Sequence, residues 1–170
     1  MDIQTTLLKA HSKANTAKIV DYVGDNQMRF DDLMEIFLKE EPLLVQRAAW
    51  VVGHSGVNQP QLVVKHFQAM IDNLKKSPIH DAVKRNTVRI WQYIDIPEEY
   101  MGSIANICFD YLGNPKEAVA IRSFSMTVLH NITKKVPELQ NELRLLIENQ
   151  MPHGTSGFRN RGRKILKEIQ

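Results

Sequence analysis

The chain has a single cysteine, Cys108, so an internal disulfide is excluded. A reducing, cytoplasmic compartment is the expectation that follows. No stretch comes near the roughly 18 consecutive apolar residues that a membrane-spanning helix needs. The first residues lack the basic start and long apolar run of a secretory leader, and no lipidation signal is expected at either end. Strand signals are nearly missing: apolar residues recur at three and four spacing almost throughout, which is the helix period. A charge excess is also missing. The formal net charge is +3 over 170 residues, too mild for composition alone to specify a nucleic-acid partner.

What is present is a recurring line: a turn proline, then a helix carrying an arginine. It occurs as Pro42 with Arg47, Pro78 with Arg85, Pro115 with Arg122 and Pro152 with Arg159, and the arginines recur after 38, 37 and 37 residues. That is an internal repeat. The apolar spacing predicts helices over 3–23 (broken near Ser12), 29–39, 42–54, 61–75, 79–94, 98–112, 116–132, 138–150 and 157–169. Gly24, Gly53 and Gly56 with Asn58-Gln59-Pro60, Pro78, Gly113 and Gly154 are expected to end helices or make turns. Short turns make successive helices antiparallel, so the units read as hairpins over 1–24, 28–56, 60–95, 97–133 and 137–170. Three places after the key arginine stand Trp50, Val88, Ser125 and Gly162; six places after it stand Gly53, Trp91, Val128 and Ile165. These offsets share a helix face, which is expected to pack against the paired helix and the next unit. The first unit lacks the arginine.

A hairpin cannot bury its apolar face alone, so units of this kind stack. The expected fold is an all-α, right-handed α-α superhelix (solenoid) of about four to five hairpins forming one domain, 1–170.

The proline at the turn, the Val-x-Arg-like opening of the second helix and the period of about 37 resemble HEAT and armadillo-type repeats. This resemblance covers 31–170. It implies that the second helices line an inner, concave face. Gln46 to Val51 and the tail Arg159 to Lys167 are similar to a group of short bacterial HEAT-like proteins, some of which are labelled adenylosuccinate lyase. That activity is not expected here. The lyase loop has a Met-Pro-x-Lys-x-Asn core, and Met151-Pro152 is followed by His153, Gly154 and Thr155. A DNA glycosylase of HEAT-like build uses tryptophan, aspartate and arginine on its concave face, and Trp50, Asp81 and Arg89 are the residues that would imitate the set.

The arginine series Arg47, Arg85, Arg122 and Arg159 reads either as a ladder of cations for an acidic partner or as structural, pairing with carboxylates such as Asp81 or Glu40-Glu41 and covering apolar surface with its stems; the structural reading is favoured. Arg159, Arg161, Arg163, Lys164 and Lys167 make a basic final helix, either a solvated cap or a grip for phosphates. Gly154-Thr155-Ser156-Gly157 follows a helix and lacks a P-loop ending. The six histidines show no metal-ligand spacing, so no metal and no cofactor is expected. Cys108 reads as a buried, inert thiol, and Glu98-Glu99 as complement to a helix dipole. No catalytic constellation emerges from spacing.

The functional expectation is a small HEAT-like scaffold that binds a protein partner along its concave face without catalysis. Arg47, His54, Lys84, Arg89, Gln92 and His130 are its expected exposed contacts. The alternative is binding of a nucleic-acid backbone or another anion through the basic second helices, with Arg89, and the C-terminal helix, with Arg159, Arg161, Arg163 and Lys164. A lyase or glycosylase-type enzyme is the third reading.

Overall fold

A computed structural model describes residues 1–39 and 41–169. Among them are ten α-helices and no strand, arranged as the helix hairpins of the α-solenoid class that the period predicts. The chain divides into two compact units, Met1–Ile94 and Asp95–Gln170.

Unit 1 holds three hairpins: α1 (Ile3–Lys9) with α2 (Lys13–Val23), α3 (Gln27–Lys39) with α4 (Pro42–Asn58), and α5 (Phe67–Leu74) with α6 (Asp81–Trp91). The first helices α1, α3 and α5 touch in series, and so do the second helices α2, α4 and α6, giving two layers. Their shared core contains Phe30, Phe37, Phe67 and Trp91, each at most 1% exposed. Burying a side chain of that size stabilises by about 1.5–3 kcal/mol.

Unit 2 holds α7 (Glu98–Gly113) with α8 (Val119–Thr133), and α9 (Gln140–Gln150) with α10 (Ser156–Glu168). Cys108, Met126, Leu129 and Phe158 lie in its core.

Three expectations about element ends are corrected. Gly53 and Gly56 do not terminate α4, which continues to Asn58. They are where α6 comes closest: a Cβ on Gly53 would lie 2.9 Å from Asn86 Cγ and nearer still to its Oδ1, and one on Gly56 would lie 2.8 Å from Ile90 Cδ1. The predicted helix over 61–75 splits into a 3₁₀ stretch, Pro60–His66, and α5. Side chains fasten the tighter stretch to α3, since Lys65 and His66 both bond Asp31 while Gln27 donates to the Leu62 carbonyl. The sixth helix opens at Asp81 rather than 79, because His80 is its N-cap: His80 Nδ1 accepts from the Ala82 N–H at 3.0 Å.

The offset face expected to be packed is packed at its sixth place: Gly53, Trp91, Val128 and Ile165 are all buried.

Candidate partner-binding groove

An apolar concavity of unit 1 lies between α2 and α4. The Ser12 hydroxyl caps α2 by accepting from the Asn15 N–H at 3.2 Å. The Asn15 side chain donates to the Thr6 and Ala10 carbonyls at 2.7 and 2.8 Å, which fixes the turn between α1 and α2. Gly24 then ends the helix at φ +50°, a left-handed conformation, and its N–H reaches the Val20 carbonyl. Within these bounds the helical period sets Lys13, Thr16, Ala17, Val20 and Asp21 along one face, and on α4 it sets Trp50, His54 and Asn58 along the face opposite. The space they enclose is about 400 Å³.

Trp50 is the centre of the wall. Its ring centroid lies 5.9 Å from His54, one turn on, and 5.6 Å from His11, which stands in the turn between α1 and α2. Both rings are tilted against the indole, an arrangement favourable to aromatic pairs. His54 is held below its ordinary value of 6.5, first by burial and then by the nearby positive charge of Arg89 on α6. It is therefore neutral near pH 7.

The arginine series has divided roles. The Arg47 guanidinium donates to the Leu7 and Leu8 carbonyls at 2.8 and 3.0 Å, closing the C-terminal end of α1. Arg122 is 7% exposed, donates to the Leu112 carbonyl and to Gln150 Oε1, and lies over the Phe158 ring at 4.9 Å. Burial lowers its pKa. Arg85 and Arg159 are exposed. The structural reading therefore fits two of the four, with helix-end carbonyls rather than carboxylates as partners. Glu40, one proposed partner of Arg47, lies outside the described residues. Lys76 and Arg29 close other helix ends in the same way, donating to the Leu38 and Tyr22 carbonyls at 3.0 and 2.7 Å.

Of the six expected contact residues, His54 lines the groove and Arg89 stands beside it. Lys84 and Gln92 are half-buried on α6, and Gln92 donates to the Arg89 carbonyl at 3.3 Å. Arg47 is committed to α1. His130 is not an exposed position: it is 7% exposed, with Nε2 2.8 Å from Glu168 Oε2, and it ties α8 to α10. Side chains on α8 that follow the buried Arg122 are enclosed by α7, α9 and α10, which a hairpin read alone does not reveal.

The basic residues of α10 also separate. Arg161 is used internally, donating to the Ser123 carbonyl and Thr127 Oγ1 at 2.9 and 3.1 Å. Arg159, Arg163, Lys164 and Lys167 are exposed, opposite the buried Phe158, Gly162 and Ile165. The glycosylase-like trio is not gathered into one site. Asp81 opens α6 eight residues before Arg89, about 12 Å along the axis at 1.5 Å per residue. Cys108 is fully buried, and its thiol is pushed up to about 12 by loss of solvent. Among the described residues no cluster of three metal-ligating side chains occurs, and no helix is long and apolar enough to cross a membrane.

Sequence reasoning missed His11, Lys13, Asp21 and Asn58. The Trp50–His54 spacing was a readable sign of a shared face; which residues of α2 stand opposite depends on how the first hairpin is fastened.

A family model described as a HEAT repeat domain matches residues 3–169, so the chain belongs to the HEAT repeat domain family. No curated protein and no solved structure matches it.

Proposed function

We propose that this HEAT repeat chain is a binding scaffold of the cytoplasm, and that the groove between α2 and α4 holds a short segment of a protein partner without performing chemistry on it. The observation that carries this is Trp50. The other tryptophan, Trp91, is fully buried, while Trp50 stays half-exposed at the wall of an apolar concavity between two imidazoles. Exposed aromatic anchors in pockets carry most of the energy of protein recognition. The family supports a binding role in general terms, because repeat hairpins present ridges of side chains from successive second helices. His54, Arg89, Lys84 and Gln92 are the contacts proposed beside Trp50.

Peptides selected from a displayed random library against the intact chain test this. Their affinities are then measured by calorimetry for the wild type, Trp50→Ala and a control in unit 2, Leu145→Ala. A loss of about tenfold or more (~1.4 kcal/mol) for Trp50→Ala alone is the expected result. Selected peptides that bind Trp50→Ala and wild type equally would remove the groove from consideration.

The stripe of Arg159, Arg163, Lys164 and Lys167 supports a second reading, a grip on a phosphate backbone. A salt titration of binding to labelled single- and double-stranded DNA, with and without neutralisation of these four, decides it. Affinity that falls with salt and with neutralisation supports the reading; no binding at low salt ends it.

A further inference from the structure

The charge around the groove says what kind of segment it accepts. Arg85 and Arg89 are one turn apart on the outward side of α6, and Tyr93, 61% exposed, follows one turn later. Lys13 adds a third cation on the α2 side. Arg47 and Arg29, by contrast, are bound to helix-end carbonyls. Asp21 is the one carboxylate among the groove's lining residues, on the same helix as Lys13 but two turns away. Arg89 thus brings a positive charge close to His54 in the aromatic wall, and Lys13 stands on the α2 side.

We infer that the segment held in this groove is acidic, seating one large apolar side chain against Trp50 and directing a carboxylate to Arg89. The inference rests on the groove being the binding surface. Guanidinium and carboxylate match in planar geometry and form paired, charge-assisted hydrogen bonds, so an arginine at the rim of an apolar pocket selects for a carboxylate beside an apolar anchor. A nucleic-acid strand fits less well. Asp21 would face its phosphates, and three cations on two helices offer no continuous track. The continuous basic stripe is on α10, in the other unit.

Trp91→Phe leaves Trp50 as the sole tryptophan, so its emission reports on the groove. The probes are three synthetic peptide pools, one of acidic and large apolar residues, one of basic and large apolar residues, and one of acidic residues without apolar ones, together with a DNA oligonucleotide. Anisotropy of the same probes, fluorescently labelled, on the unsubstituted chain gives a parallel reading should Trp91→Phe fold poorly. The acidic–apolar pool is expected to bind about tenfold or more tighter than either other pool, with the preference weakened by salt. Arg89→Glu is expected to reverse the preference toward the basic–apolar pool. Lys13→Glu, an exposed change on a different helix, is expected to act in the same direction more weakly. Equal or better binding of the basic–apolar pool, or a preference unmoved by both charge reversals, overturns the acidic assignment. If that binding still depends on Trp50, the groove stands as a protein-binding surface. Tighter binding of the oligonucleotide overturns the assignment in favour of nucleic acid. Failure of every probe to bind removes the groove and the assignment together.

Discussion

The two units use one repeat line for opposite purposes. In unit 1 the residue three places after the key arginine of α4 is Trp50, and seven places after it is His54; both reach the surface. In unit 2 the same places after Arg122 are Ser125 and Leu129, both fully buried, and the Ser125 hydroxyl bonds back to the Ile121 carbonyl at 2.7 Å. The arginines differ in step. Arg47 is half-buried and reaches across to the end of α1, whereas Arg122 is enclosed among α7, α9 and α10. A repeat fixes which residue type stands at a helix position. Whether that position becomes surface or interior is decided by the neighbouring hairpin.

The sharpest way to break the comparison is to delete the two arginines. Arg122→Ala leaves Gln150 and the Leu112 carbonyl without their partner and opens a void beside Phe158, so a loss of about 3–5 kcal/mol is expected in urea unfolding followed by circular dichroism. Arg47→Ala exposes carbonyls that water can reach, and a loss of about 1–2 kcal/mol is expected. Equal losses would mean that the burial difference between them has no energetic weight.

The close approaches give a second contrast. Gly53→Ala must displace the buried Asn86 side chain, not merely its tip, and overpacking of this kind costs about 1–3 kcal/mol. Gly162→Ala meets Met151 Sδ at 2.7 Å and Ile147 Cγ2 at 3.1 Å. Methionine adapts, and alanine is the better helix former by about 1 kcal/mol, so the net change in unit 2 is expected to be near zero. Thermal melts of the two variants should rank Gly53→Ala as the more damaging.

A third test uses Cys108 as a reporter of unit 2. Its thiol pKa is raised from 9.0 to about 12, so the folded state holds the proton more tightly than the unfolded state. The stabilisation is complete below pH 9 and is lost as pH rises from there toward 12. A disulfide reagent at pH 8 is therefore expected to label Cys108 only at the rate of opening, and to label it faster in Arg122→Ala than in Arg47→Ala. The smallest effect belongs to His54. Arg89→Ala is expected to raise its NMR-observed titration only part of the way toward 6.5, because burial is the larger cause of the depression.

The helices, their antiparallel order and the repeat were legible because each follows from local spacing. Ser12, Pro42 and Gly24 act as caps and stops where their chemistry predicts. The ends that sequence misplaced depend on distant partners: Gly53 and Gly56 read as stops until α6 is beside them, and 60–66 reads as a continuous helix until Asp31 draws in Lys65 and His66. The candidate site was half legible for the same reason. Trp50, His54 and Arg89 stand on second helices that the period identifies, while His11, Lys13 and Asp21 come from the first hairpin, whose arginine is missing and whose register the repeat does not supply. His130 was misread because Glu168, its partner, lies 38 residues further on.

That long reach has a consequence for synthesis. The carbonyls at the end of α1 are closed by Arg47, those near the end of α3 by Lys76, and the Ser123 carbonyl is bonded by Arg161. In each case the donor is translated 38 to 40 residues after the group it serves. The ends of α1 and α3 therefore gain these side-chain partners only once most of the following repeat has emerged.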